Sequence, residues 1–438
     1  MKVLLLGSGG REHAFAQKLA QSPKVEKLWI APGNAGTAAC GENVNMGVLE
    51  FEKIYAFARE NQIDVLIPAS EDPLVLGITD FIQAKNKENN TAIKVAGPSK
   101  WAAQLEGSKD FSKNFMKKNG IPTAAYLTVN QENLEAGIQF LHSLKAPYVL
   151  KADGLAAGKG VIITNDLQDA ENQLREMILQ KKFGEASSNV VIEEFLHGIE
   201  ISVFAISDGK SWKFFGSAKD YKRIGEGDTG LNTGGMGAIS PVPFADEKFM
   251  QKVEEKIVTP TFNGLQKEGH SFNGFLFIGL MNCDGEPYVV EYNVRMGDPE
   301  TEAILPRLQT DMGDLFEAMV HSDLETLNLV FDNRTAVAIF LVSGGYPENF
   351  EKGIRMEIPE FSDKNVHVFH AGTKNEGGQI LTNGGRVIAL TNLGEDLESA
   401  LQNSLQMAEK IKFDGRYFRR DIGRDLIQFQ KKYAKPNG

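Results

Sequence analysis

Residues Tyr148–Gly160 read YVLKADGLAAGKG, a short apolar run that breaks into a glycine- and lysine-bearing loop. Tyr148, Val149 and Leu150 have the pattern of a buried strand. Lys151 follows, then Gly154, Gly158 and Gly160 with small alanines between them. Small residues leave room for an anion beside the main chain, and glycine accepts the backbone angles that turn successive N–H groups towards it. Lys151 at the base of the loop and Lys159 inside it supply positive charge. A Gly/Ala hairpin with two solvated lysines has the same local chemistry, so the reading depends on the rest of the chain.

The chain has 438 residues, which implies two to four domains. With 42% hydrophobic and 24% charged residues it has the composition of a soluble globular protein. A net charge of -11 with no dense Lys/Arg run excludes a general nucleic-acid surface. Cys40 and Cys283 stand alone and far apart, which excludes a disulfide scaffold and a zinc site and points to a reducing compartment. The apolar run Val3–Leu6 is too short for a signal peptide, and none reaches membrane-spanning length. The expected location is the cytoplasm, with no membrane partner.

At the N-terminus, the strand Lys2–Leu6, the turn Gly7–His13 and a helix to about Gln21 begin a βαβαβ rhythm. The strands Lys27–Ala31 and Asp64–Pro68 and the helix Phe51–Asn61 continue it, and a parallel sheet follows. The first turn resembles a dinucleotide fingerprint, but Glu12 stands at its third glycine and the second strand ends in Ala31-Pro32 without an acid. Both requirements of that site are unmet, although a phosphate at this helix N-terminus beside Arg11 stays open. A helix is expected over Lys100–Asn119. Strands are expected at Ala125–Val129, Val161–Thr164, Val190–Glu193, Glu200–Ile206 and Lys213–Ala218, with a helix at Asp169–Gln180. Asp220–Gly237 reads as a long polar loop, and a loop of that length inside a domain is usually functional or disordered. The helical stretch Asp246–Glu268 precedes strands at Gly274–Asn282 and Tyr288–Tyr292. A last unit has strands at Ala336–Val342, Val366–His370 and Gly385–Leu390 and a helix at Leu397–Lys410.

Two further strand ends carry chemistry. Glu193, Glu194 and Glu200 gather near the end of the strand from Val190, where an acid and the main chain can meet a purine and its ribose. In Val289–Asn293, strand alternation puts Glu291 and Asn293 on one face, two oxygen ligands suited to a hard cation. Arg295 and the turn Gly297–Glu300 follow, adding a guanidinium that can clamp a carboxylate or phosphate. Each feature alone is compatible with a solvated strand end. Together they describe a nucleotide, a metal and a second anion.

The order of these motifs resembles the ATP-grasp superfamily, and within it the glycinamide ribonucleotide synthetase family over nearly the whole chain. The similar segments include LLGSGGREHA (Leu5–Ala14), PGNAGT (Pro32–Thr37), LEGSKDFSKNFM (Leu105–Met116), IPTA (Ile121–Ala124), LKADGLAAGKGV (Leu150–Val161) and IEEFLHGIEIS (Ile192–Ser202). DYKR (Asp220–Arg223), NTGGMGAISP (Asn232–Pro241), EYNVRMGDPE (Glu291–Glu300), SGGYP (Ser343–Pro347), HAGT (His370–Thr373) and RRDIG (Arg419–Gly423) continue the match. The resemblance implies ATP-dependent ligation of glycine to 5-phosphoribosylamine through a glycyl phosphate, with Mg²⁺ or Mn²⁺, by a monomer of purine synthesis. It implies that Lys109 and Lys151 touch the ATP phosphates beneath the loop Gly154, Gly158, Lys159 and Gly160. Glu193, the segment Glu194, Phe195 and Leu196, and Glu200 would hold adenine and ribose, and Glu291 and Asn293 the metal. Arg295, Asp298 and Asp220 would act in the reaction. Asn232, Thr233, Gly234, Gly235, Met236 and Gly237 would shape the glycine site, and Gly9, Gly10, Arg11 and Glu12 would face phosphoribosylamine.

Some positions depart from the family pattern: Ala69-Ser70 before Glu71, Tyr221 for the commoner His, Glu226 for Asp and Leu231 for Pro. The expected architecture is α/β throughout. An N-terminal parallel-sheet domain spans 1–103, a two-lobe ATP-grasp domain 104–325 with its lid lobe at about 122–195, and an α+β domain 326–438. The competing readings are an ATP-grasp ligase for another acid or amine, a dinucleotide oxidoreductase and a non-catalytic nucleotide sensor.

Overall fold

A computed structural model describes residues 1–154 and 160–433. Gly158 and Lys159 lie outside the described residues. At the N-terminus a five-stranded parallel sheet runs Glu42–Asn43, Lys27–Pro32, Lys2–Gly7, Val65–Pro68, Lys94–Val95. Its central strand is an unbroken apolar run, Val3 to Leu6, because packing covers both faces and no position looks to water. The strand order reverses about this strand, which opens a crevice at its C-terminal end, at Gly7–Gly9.

A separate lobe holds the sheet Tyr126–Val129, Val190–Glu194, Tyr148–Ala152, Val161–Thr164, all antiparallel. The helices Leu134–Ser143 and Leu167–Leu179 cover it. This lobe has its own core, in which Val129, Leu141, Leu150, Leu174, Val190 and Ile192 cluster apart from the main core.

The rest is built on one eight-stranded sheet. Its order is Glu286–Asn293, Asn273–Cys283, Ile199–Asp208, Trp212–Asp220, Gly237–Ser240, Thr335–Val342, Arg386–Gly394, Val366–His370. The sequence-predicted boundary near residue 326 runs through this sheet. Gly237–Ser240 pairs with Thr335–Val342, so the last unit shares its hydrogen bonds with the middle one.

Two expectations need correction. The helix expected over Lys100–Asn119 is broken into Gln104–Gly107 and Lys109–Lys118 by an extended Ser108 (φ -140°). Ser108 Oγ accepts from Phe111 N–H at 3.1 Å, and the distant Asp153 carboxylate accepts from Lys109 N–H at 2.6 Å. Capping from two sources starts a new helix there. Asp220–Gly237 is also more than a loop. It contains the hairpin Arg223–Gly225/Thr229–Asn232, and its ends are buried through Tyr221 and Met236. Among the described residues no helix is long and apolar enough to cross a membrane.

Candidate active site

The strand Tyr148–Ala152 and its neighbour Val190–Glu194 are paired so that Lys151 and Glu193 both reach the mouth of the lid lobe. Lys151 Nζ lies 2.9 Å from Glu193 Oε1, and Lys113 Nζ lies 3.1 Å from Glu193 Oε2. All three side chains are buried. Burial works against the Glu193 charge, but the two facing ammoniums outweigh it and hold the carboxyl below the usual range. Lys113 has only the one carboxylate, so burial prevails there and pushes it down to about 8. Burial also lowers Lys109, whose ammonium donates to the Gly154 carbonyl at 3.0 Å. The loop's first described glycine is thus tied to one of the predicted phosphate ligands.

Across a cleft of about 600 Å³ stands the strand Glu286–Asn293. Val290 to Asn293 border the cleft; Glu291 and Asn293 are partly exposed there, while the Tyr292 side chain between them is buried with its hydroxyl bonded to Thr261. Among the described residues no hydrogen bond or ion pair engages the Glu291 carboxylate. Asn293 Oδ1 accepts from Arg295 Nη2 at 3.2 Å and keeps a second lone pair. No group of three or more His, Cys, Asp or Glu among the described residues is placed to hold a metal. An unengaged carboxylate beside an amide oxygen nonetheless fits a hard cation that takes few protein ligands and completes its shell with phosphate and water.

Arg295 is held in place by acids. Its Nη2 lies 2.9 Å from Glu106 Oε1 and its Nε 3.5 Å from Glu71 Oε2. Burial raises Glu106 despite that guanidinium, and Glu106 Oε2 also accepts from Val294 N–H at 2.8 Å. Beyond Arg295, Asp298 and Arg386 belong to the walls of both this cleft and a second cavity of about 380 Å³. Ser8, Gly9, Asn34, Thr373 and Asn383 line the second cavity at the C-terminal end of the parallel sheet.

The structure gathers Arg11, Lys109, Lys151, Gly154, Gly160, Glu193, Thr233, Gly234, Glu291, Asn293, Arg295 and Asp298 around the main cleft, and Gly9 around the second cavity. Other predicted residues do other work. Glu12 is buried, and its carboxylate accepts from Gly9 N–H at 2.5 Å and Arg11 Nε at 2.7 Å. Gly10 packs on Glu302, where a Cβ would meet the carboxylate at 2.3 Å. Met236 is in the core; its N–H donates to the Tyr221 carbonyl and its own carbonyl accepts from Phe340 N–H. Gly237 is closed against its neighbouring strand, where a Cβ would lie 2.6 Å from the Ala338 carbonyl. Gly235 turns the chain at φ +115° under Pro299, and Asn232 is exposed in the hairpin.

Glu194, Phe195, Leu196, Glu200 and Asp220 do not line the cleft. Glu194 N–H bonds the Ala125 carbonyl at 2.9 Å. Glu200 pairs with Lys222 at 3.1 Å, and burial raises Asp220 beside the same lysine. Sequence reasoning assigned no role to Lys113, Glu106, Asp153 or Arg386. Lys113 stands one helical turn after Lys109, and that i, i+4 spacing was the available signal. Arg386 becomes visible only when its strand is placed beside Thr335–Val342, which in turn pairs with Gly237–Ser240.

A lysine-walled lid facing an acid–amide strand across a nucleotide-sized cleft is the architecture of ATP-grasp enzymes. The fold is shared with the biotin carboxylase domain of Hydrogenobacter thermophilus 2-oxoglutarate carboxylase, solved with MgADP and bicarbonate. That likeness has TM-score 0.71 at 16% identity and covers 98% of this chain and 93% of that one. Closer matches narrow the class. Residues 1–106, 107–301 and 336–425 match the N, ATP-grasp (A) and C domains of phosphoribosylglycinamide synthetase, and the chain belongs to that family. It is 44% identical to the phosphoribosylamine–glycine ligase of Pasteurella multocida over 99% of this chain and 100% of that one. The Haemophilus influenzae ligase is likewise 44% identical, over 98% and 99%. The crystal structure of the Thermotoga maritima ligase matches with TM-score 0.82 and 36% identity, covering 96% of this chain and 100% of that one.

Proposed function

We propose that the main cleft and the second cavity are the two halves of one ligase site. The chain joins glycine to 5-phosphoribosylamine at the expense of ATP, giving glycinamide ribonucleotide, ADP and phosphate in purine biosynthesis. The observation that carries the geometric reading is the shared wall: Asp298 and Arg386 border both cavities, so a group activated in one is within reach of a nucleophile in the other.

A carboxylate is a poor electrophile, so activation comes first. The glycine carboxylate oxygen attacks the γ-phosphorus, the bond to the β-phosphate oxygen breaks, and ADP leaves glycyl phosphate behind. The amine then attacks the acyl carbon, the C–O bond to phosphate breaks, and the amine gives up its proton. The protein's part is to position the reactants and neutralise charge. Lys109, Lys113 and Lys151 bring positive charge to the phosphate chain, and Arg295, fixed by Glu71 and Glu106, brings it to the carboxylate. A divalent cation held by Glu291 and Asn293 would offset the charge of the phosphates when bound. Glu193, in the cleft wall, is the adenine side of this reading. Both cavities are lined by one chain, which suits a monomer. Two unpaired cysteines suit the cytoplasm.

The test is phosphate release from Mg·ATP with glycine, phosphoribosylamine, or both. Release that needs both, with an equal amount of glycinamide ribonucleotide, is the expected result. Release with a different acid–amine pair, and not with this one, would overturn the substrate assignment.

A further inference from the structure

Behind the shared wall lies a carboxyl group that the reaction above does not use. Glu302 is fully buried in the helix Glu300–Ile304. Among the described residues neither of its side-chain oxygens has a hydrogen-bond partner, and the same is true of Asp298 Oδ1. Arg386 does not resolve this. Its Nη1 is 3.0 Å from Asp298 Oδ1, but its N–H groups are aimed at the carbonyls of Gly234 (2.6 Å) and Asp298 (3.0 Å). Around Glu302 the other neighbours bring no donor to the carboxyl. Gly10 abuts Oε1, the Phe340 ring packs against the same spot, and the Thr391 hydroxyl donates to the Glu302 main-chain carbonyl at 2.8 Å. The charged groups facing the pair include Arg386 from the strand Arg386–Gly394 and, from the helix Gly10–Ala20, Arg11 and the Glu12 carboxylate, which borders Gly9 together with Asp298.

Glu302 is fully buried whereas Asp298 is only partly so, its side chain 13% exposed and paired with Arg386. A Glu302 carboxylate with neither oxygen hydrogen-bonded among the described residues, facing the Asp298 carboxylate, would carry its charge at high cost. One proton between them satisfies the geometry, because a carboxylic acid donates where a carboxylate can only accept. Asp298 opens onto both cavities and borders the Arg386 guanidinium, whereas Glu302 has no cation at hydrogen-bond distance among the described residues, so the proton is placed on Glu302. We propose that Glu302 is a positioning residue that, as a neutral carboxylic acid, donates its O–H to Asp298 and fixes that carboxylate at the wall between the two cavities. Burial first and the Asp298 charge second act on Glu302 in the same sense, raising it well above the usual carboxylate range. The kinetic consequence rests on the ligase reading; the protonation state does not.

The test therefore has two arms. Difference infrared spectroscopy of substrate-free wild-type protein against Glu302→Gln, at neutral pH in D₂O, is expected to show the carbonyl band of a protonated carboxyl in the wild type only. In steady-state kinetics Glu302→Gln, whose amide still donates to Asp298, is expected to keep kcat within about threefold. Glu302→Met fills similar space without a donor, and is expected to lower kcat by about 10- to 100-fold, the worth of one hydrogen bond to a charged group. The KM for ATP is expected to stay unchanged in both. Absence of the infrared band overturns the proposal whatever the enzyme turns over. Equal kcat in Glu302→Met and wild type, or equal loss in both variants at wild-type thermal stability, overturns the positioning role.

Discussion

Glu193→Gln removes the one anion that faces two buried ammoniums, and its cost can be worked from the lid lobe alone. Lys113 and Lys151 sit 3.1 and 2.9 Å from the Glu193 oxygens, and all three groups are buried. Breaking a buried pair by deleting one partner costs about 3–5 kcal/mol, because the remaining charge is left uncompensated. The lobe has its own apolar core, so this loss should appear as local opening of that lobe. Hydrogen exchange of the amides in Tyr148–Ala152 and Val190–Glu194 should therefore speed up on the order of 10²–10³-fold at pH 7. The penalty should shrink at higher pH. Lys113 titrates at about 8 in the fold against an ordinary 10.5, so the folded chain releases this proton before the unfolded chain does. Stability linked to Lys113 thus rises as pH climbs from about 8 towards 10.5, by up to about 3 kcal/mol. Above pH 8 a neutral Lys113 no longer needs Glu193, and the difference between variant and wild type should narrow. Exchange in these two strands that is unchanged at pH 7, or a difference that widens between pH 7 and 9, would refute the reasoning.

Glu291→Ala should lower turnover by orders of magnitude while leaving circular dichroism and melting unchanged, since its carboxylate supports no other contact; near-normal turnover would remove it from the metal assignment. Arg419, buried beneath the hairpin, pairs with Asp421 at 2.6 Å and Asp228 at 2.8 Å and donates to the Arg223 carbonyl at 3.0 Å. Arg419→Met should free the hairpin and raise the KM for glycine, with faster amide exchange over residues 223–232; unchanged protection there would count against the anchor. Gly235→Ala should be damaging, because φ is +115° and a Cβ would lie 2.3 Å from Pro299 Cδ. A cost above about 1 kcal/mol and a fall in kcat/KM are expected, and a variant with wild-type melting and rate would contradict it.

What could be read in advance follows a physical division. Buried strands such as Lys2–Gly7 and Tyr148–Ala152 are legible because local apolar runs and turn residues determine them. Glu291 and Asn293 are legible because strand alternation alone puts them on one face. The break at Ser108 is not, since half of its capping comes from Asp153, 44 residues along the chain from Lys109. Glu12 and Met236 sit inside ligand-like motifs, yet one caps a loop and the other fills the core, and only tertiary packing separates motif from ligand. Arg386 and Glu302 come to the shared wall through the eight-stranded sheet, whose pairing of Gly237–Ser240 with Thr335–Val342 has no local signature.

The central claim is that the carboxylate activated in the main cleft is the one attacked from the second cavity. Glycine labelled with oxygen-18 in its carboxylate tests it directly, with Mg·ATP and phosphoribosylamine present. A glycyl phosphate transfers one carboxylate oxygen to the released phosphate and leaves the other in the amide. Labelled phosphate formed in step with glycinamide ribonucleotide is the predicted result. Unlabelled phosphate at full product formation would contradict activation through that carboxylate, and with it the joined-cavity account.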